Sequence, residues 1–215
     1  MKSLLLYGGS FDPPHNGHLQ TAVNVQKFFN FDEVIFIPCR TQKLKFPLIA
    51  SPQERLQMLK ILLKNYPEFS ISTYEIDKEL PSYTSETLKH FRAKYGWLTS
   101  ITLLVGVDTY ISMPKWHEWE IIPTLANLLV INRPQYNMIF SEEPDDPGAR
   151  HTFIDKSTKP LEILESSCGS LVYFNAGEYS VSSTSLREKI KNKQYINDLI
   201  TEEIADFIFL NNLYT

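Results

Sequence analysis

The sequence predicts an α/β fold, a doubly wound parallel sheet with a small helical part towards the C-terminal end. Nearly continuous apolar runs at 4–7, 33–38, 101–105, 128–131 and 171–174 suit parallel strands covered on both faces. Helical patterns lie between them at about 17–29, 52–65 and 85–95, and such alternation lays down a parallel sheet with helices on both sides. Glycine-containing segments follow two of the runs, at 8–18 and 106–108. In an open parallel sheet the ligand crevice lies beyond the carboxyl ends of the strands, where those two segments would meet.

Taken in order, the run Leu4, Leu5, Leu6, Tyr7 is the first strand. The helix after it carries Leu19, Ala22, Val23, Val25 and Phe29 at close to helical spacing. The connection 39–51, with Arg40, Lys43 and Lys45, has the length and charge to close over a substrate. The connection 132–170 contains the acidic tract 141–148, which reads as a solvated loop and not as a metal site. Near the C-terminal end, Ser185 and Glu188 have the spacing of a capping box. A last helix is expected at 202–210, with Ile204, Phe207, Ile208 and Leu213 available for packing. One domain over 1–215 accommodates all of this, with the sheet core in 1–180 and the helical segment in 181–215.

Composition excludes several classes. A 43% hydrophobic share with 21% charged residues is that of a globular protein with a sizeable core. A net charge of −4 argues against a general nucleic-acid binder. The two cysteines, Cys39 and Cys168, make no disulfide framework and lack the partners of a zinc site. No apolar run approaches the roughly 20 residues that span a bilayer, and Gly8 and Gly9 interrupt the first run too early for a signal peptide. A cytoplasmic protein without nucleic-acid or membrane partners is expected.

The stretch GGSFDPPHNGHL at 8–19 carries the most chemistry. Glycines let backbone N–H groups approach an anion, and a helix start adds donors and the positive end of a dipole. His15 and His18 would share one face of the first turn, with Gly17 between them keeping that surface free of bulk. The stretch VSSTSLR at 181–187 gathers hydroxyls, helix-start amides and an arginine, a set suited to the outer phosphates of a nucleotide. Either string alone has a structural reading, as a tight loop or as an N-cap with a surface arginine.

The first string resembles the signature of the nucleotidyltransferase superfamily, whose members move an NMP unit from an NTP onto a phosphate or similar group. The second resembles the ISSTxxR motif near the C-terminal end of those proteins. Pro81-Ser82-Tyr83-Thr84, Gly106-Val107-Asp108, Trp116 and an RxxM at Arg55 and Met58 follow in order. With them the chain resembles the bacterial nicotinate-mononucleotide adenylyltransferases over essentially its whole length. One stretch departs from the pattern: Gln42-Lys43-Leu44-Lys45 stands where that family has PPHK or PPHR.

The resemblance implies a Rossmann-like sheet and transfer of AMP from ATP, carried with Mg²⁺, to nicotinate mononucleotide. His15 and His18 would be the catalytic phosphate donors. ATP would be held by Gly8, Gly9, Ser10, Phe11, Gly106, Asp108, Ser182, Ser183, Thr184 and Arg187. The mononucleotide would be held by Lys43, Lys45, Tyr83, Thr84, Trp116 and His117, with Trp116 stacked on the pyridine and amides near Thr84 and His117 receiving the carboxylate. A transferase using another phosphorylated acceptor, such as phosphopantetheine adenylyltransferase, and a non-catalytic nucleotide sensor of the same fold remain open readings.

Overall fold

The computed structural model describes residues 1–41, 47–79, 82–132, 155–156 and 159–215. Lys43, Lys45, Pro81 and the acidic tract 141–148 lie outside the described residues. Among the described residues seven parallel strands form one sheet: β1 (Lys2–Gly9), β2 (Glu33–Pro38), β3 (Phe69–Ile71), β4 (Thr99–Gly106), β5 (Asn127–Ile131), β6 (Asp155–Lys156) and β7 (Ser170–Phe174). Their spatial order is β3-β2-β1-β4-β5-β7-β6. The chain therefore builds outward from β1 in one direction, then returns to its other side at β4, which puts the topological switch between β1 and β4.

Two apolar layers sandwich the sheet, and the strand pleat explains why the sequence runs are continuous. Successive side chains point to opposite faces. Leu4 and Leu6 of β1 join Ile35, Ile37, Ile101, Leu103, Val105, Leu128 and Val130 on one face. Leu5 joins Val34, Phe36, Leu104 and Leu129 on the other. The first face is covered by α3 (Thr84–Tyr95), α4 (Val107–Ser112) and α5 (Ile122–Leu125), through Leu88, Phe91, Tyr110 and Ile122. The second is covered by α1 (Asn16–Phe29), α2 (Pro52–Leu63), α6 (Ser183–Lys191) and α7 (Glu202–Leu210). Ala22, Val25, Met58, Leu59, Leu186, Ile204 and Ile208 supply that packing.

The doubly wound architecture is as expected, and so is each of the five strands and three helical patterns of the central sheet. Three differences have local causes. β1 continues through Gly8 and Gly9, which pair with Ile37 and Pro38, so the turn begins at Ser10 and not at Gly8. The capping box of α6 is Ser182 with Ser185, not Ser185 with Glu188. The backbone leaves its extended conformation at Ser182, and the two serines exchange N–H to hydroxyl bonds of 3.1 Å. The edge strands β3 and β6, of three and two residues, are too short to show a periodicity.

Candidate active site

Beyond the carboxyl end of β1 the chain turns through Ser10 to Pro14 and enters α1, with His15 as its N-cap. The His15 and His18 rings stack, with centroids 3.7 Å apart and planes at 25°. The backbone N–H of His15 donates to Nδ1 of His18 at 3.2 Å. An accepting Nδ1 carries the lone pair, so the proton of a neutral His18 resides on Nε2, making that atom a donor. The His18 backbone N–H in turn donates to the His15 carbonyl at 2.9 Å. Gly17 permits this compactness. A β-carbon there would lie 2.9 Å from Val181 Cγ1 and 3.1 Å from His15 Nδ1.

Phe11 lies beneath the turn. Its side chain is fully buried, edge-on to His18 at 5.0 Å and to Tyr7 at 5.7 Å. A β-carbon on Gly9 would sit 2.9 Å from the Phe11 ring, so the glycine is there for the ring. The Phe11 ring supports the turn from beneath. Gly8, by contrast, is exposed and has nothing within 4 Å of a β-carbon position.

The VSSTSLR segment docks onto this turn from far along the chain. The Ser183 hydroxyl donates to the Pro13 carbonyl at 2.9 Å, and Arg187 Nη1 donates to the Asp12 carbonyl at 2.7 Å. A second arginine donor, Nη2, meets the Thr184 hydroxyl at 3.2 Å. The first N–H groups of α6, at Ser183 and Thr184, have no partner within the helix. At the start of α1 the Asn16 N–H is taken by the Leu199 carbonyl. A cleft of about 180 Å³ opens between the two segments, lined by Tyr7, His15, Gly17, His18, Val181 and Ser182, with Ile131, Asn132 and Tyr179 on its far side. A larger depression, about 450 Å³ around Phe28, Pro160 and Leu161, carries none of the candidate residues.

Two residues of the turn's support were given no such role from the sequence. Arg55, fully buried on α2, donates to the carbonyls of Ser10 (2.7 Å), Arg40 (2.9 Å) and Ala50 (3.2 Å). Asp12, 1% exposed, accepts the Ile49 N–H at 2.8 Å, the Ala50 N–H at 3.1 Å and the Tyr214 hydroxyl at 2.6 Å. Asp12 sits inside the first motif and Arg55 inside RxxM, so motif membership was the only signal either had. Cys39, at the end of β2, is no nucleophile: burial pushes its thiol up to about 11, leaving it neutral at physiological pH.

The remaining candidates form a second group. Gly106 ends β4 and caps α4, placing Asp108 in that helix's first turn beside the switch between β1 and β4. Tyr83 caps α3 and Thr84 is its first residue. The rings of Tyr83 and His117 meet at 4.1 Å, although 34 positions separate them in the chain. Trp116 follows a 3-10 turn, Met113–Lys115, and packs partly against the core with Trp119. Among the described residues no group of three or more His, Cys, Asp or Glu could hold a metal ion, and no helix is long and apolar enough to cross a membrane.

Comparison with known proteins follows the same lines. Residues 6–189 match the model of the cytidylyltransferase-like family. A Legionella pneumophila (strain Corby) protein named "Probable nicotinate-nucleotide adenylyltransferase" is 39% identical over 216 residues, covering 100% of both chains. One of the same name from Clostridium beijerinckii is 33% identical over 218 residues, again covering 100% of each. Among solved structures, the Plasmodium falciparum nicotinic acid mononucleotide adenylyltransferase complexed with NaAD superposes with a TM-score of 0.73. It is 20% identical, with 100% of this chain and 98% of that chain covered, a likeness of fold. The chain belongs to the cytidylyltransferase-like family and, within it, to the nicotinate-nucleotide adenylyltransferases.

Proposed function

We infer that the protein transfers AMP from ATP to nicotinate mononucleotide, yielding deamido-NAD and pyrophosphate in NAD biosynthesis. The observation that carries this reading is the docking of the SSTSLR helix start onto the FDPPHNGH turn beside the stacked histidines. It sets donors from two helix starts around one cleft at the carboxyl end of β1.

A phosphate oxygen of the mononucleotide attacks the α-phosphorus of ATP. The bond from that phosphorus to the bridging oxygen breaks, and pyrophosphate leaves with the electron pair. A phosphate monoester is mostly dianionic at pH 7, its second pKa being about 6, so the attack needs no strong general base. Catalysis then rests on in-line placement and on donors aimed at the charge that grows on the transferred and departing phosphates. Nε2–H of His18 is such a donor, with His15 beside it. Ser10, Ser183, Thr184 and the unused donors of Arg187 complete the cradle, and the Asp108 carboxylate accepts from ribose hydroxyls. Trp116 stacks on the pyridine, while amides near Thr84 and His117 take its carboxylate. Mg²⁺ arrives on the triphosphate, with phosphate oxygens and water as its ligands. A cytoplasmic setting belongs to the same reading.

In this scheme Lys45 keeps the cation that ends the family's PPHK loop and Lys43 adds a second. Lys43→Ala/Lys45→Ala should raise KM for the mononucleotide more than KM for ATP; unchanged values for both would remove the two lysines from binding. The function itself is tested by pyrophosphate release from ATP with nicotinate mononucleotide, nicotinamide mononucleotide and phosphopantetheine as acceptors. Turnover with nicotinate mononucleotide is expected. Turnover with phosphopantetheine alone would reassign the acceptor, and none with any acceptor would leave a nucleotide sensor.

A further inference from the structure

Asp12 lies at the centre of the phosphate-binding turn, yet its carboxylate faces away from the cleft and into the protein. It gathers three donors from two distant parts of the chain: the N–H groups of Ile49 and Ala50 ahead of α2, and the hydroxyl of Tyr214 beyond α7. Tyr214 is 5% exposed and its neighbour Leu213 is buried in the same apolar layer as α1 and α2. The stretch from α6 to Tyr214 touches the turn repeatedly. Ser183 binds Pro13, Arg187 binds the Asp12 carbonyl, and the Leu199 and Asp198 carbonyls hold the Asn16 N–H and side-chain amide. Tyr214 supplies the only one of these contacts that reaches the Asp12 carboxylate.

We propose that Tyr214 is a positioning residue for adenylyl transfer: by donating to Asp12 it holds the Ser10-to-His15 turn in the geometry that presents His15, His18 and the turn's amides to the phosphates. The proposal rests on the function inferred above. The chemistry is suited to the task. A hydroxyl that donates to an ionised carboxylate makes a strong, directional bond. Burial, and then the hydrogen bond to Asp12, raise the phenol well above its ordinary range, so it stays a donor at every working pH. A displacement of about 1 Å in a cradle built for in-line attack costs up to about a hundredfold in rate. The loss is one of orientation, so it falls on kcat more than on substrate binding.

Tyr214→Phe removes the hydroxyl and keeps the ring's packing. It should lower kcat about tenfold, the scale of one hydrogen bond to a charged group, while KM for ATP and for the mononucleotide stay within about threefold. The control is a cycle with Asp12→Ala, which leaves the Tyr214 hydroxyl no acceptor at that position, each variant first shown to be folded by its thermal transition. If Tyr214 acts through Asp12, the double variant is no slower than Asp12→Ala alone; effects that multiply would overturn the proposal. So would a Tyr214→Phe enzyme with a lower Tm and an unchanged kcat, the mark of a residue that only stabilises. Should Asp12→Ala not fold, Tyr214→Phe still decides by its split between kcat and KM. Amide exchange gives a reading free of turnover: the Ile49, Ala50 and Asn16 protons should exchange faster in Tyr214→Phe, and unchanged protection would overturn the proposal. If the wild-type protein releases no pyrophosphate with nicotinate mononucleotide, the functional reading fails by itself. The exchange measurement then still shows whether Tyr214 holds the turn.

Discussion

His18 is made a donor by its neighbour's backbone. The His15 N–H occupies Nδ1 from one side, which leaves Nε2 as the protonated atom of the neutral ring. The Phe11 ring, edge-on at 5.0 Å, and the His15 ring at 3.7 Å limit where the imidazole can go, so it is oriented before any ligand arrives. A donor of this kind acts on charge that grows towards the transition state. His18→Ala should therefore lower kcat by about 10²–10³ with the fold intact. Steady-state kinetics beside a circular-dichroism melt checks it, and activity within a few-fold of wild type would remove His18 from the mechanism. Asp12 and Arg55 act one layer further out, holding carbonyls and amides of the loops around the turn.

At the scale of the element, α3 is tied to a half-buried acid. Glu75 lies in the segment before the helix and accepts the Thr87 hydroxyl at 2.6 Å, one turn past Tyr83 and Thr84. Burial raises the Glu75 carboxyl above its ordinary 4.5, against smaller lowering effects of the Thr87 bond and Lys78. The folded protein therefore holds this proton more tightly than the unfolded chain does. Between 4.5 and the raised folded value, native protein binds more protons, so the stability from this group is full below 4.5 and declines as pH rises through the folded pKa. Glu75→Gln keeps an acceptor for Thr87 and removes the titration. Its unfolding free energy should lose that downward slope and exceed the wild type's at neutral pH. Urea denaturation of both proteins across pH 4–8 checks this, each compared with the other so that the remaining carboxylates cancel. Parallel curves would show that Glu75 titrates alike in both states.

For the molecule as a whole, the proposed selectivity rests on segments that only the fold brings together. Tyr83 at the start of α3 meets His117 beyond α4, and the inferred pyridine site lies between those elements. A pocket lined by N–H groups suits a carboxylate, which only accepts. A carboxamide would set its own NH₂ donor against those donors, and buried groups left unpaired discriminate strongly. The protein should accordingly favour nicotinate over nicotinamide mononucleotide by a large factor in kcat/KM, measured side by side at fixed ATP and Mg²⁺. Equal use of the two would overturn the acid-specific site and leave adenylyl transfer standing.

The local pattern determined the five longer strands, the helices α1, α2, α3 and α7, and the parallel sheet. A strand buried on both faces must be apolar throughout, and Leu4, Leu5 and Leu6 are. The two strings proposed to bind phosphate were legible for a related reason: glycines, histidines and helix-start hydroxyls act through short-range backbone geometry. Tertiary structure alone decided what those strings touch. The burial of Phe11 under Gly9, the three carbonyls gathered by Arg55, and the bond from Tyr214 to Asp12 join positions far apart in the chain. No spacing records such pairs, because a hydrogen bond between distant segments depends on where the packed layers place them.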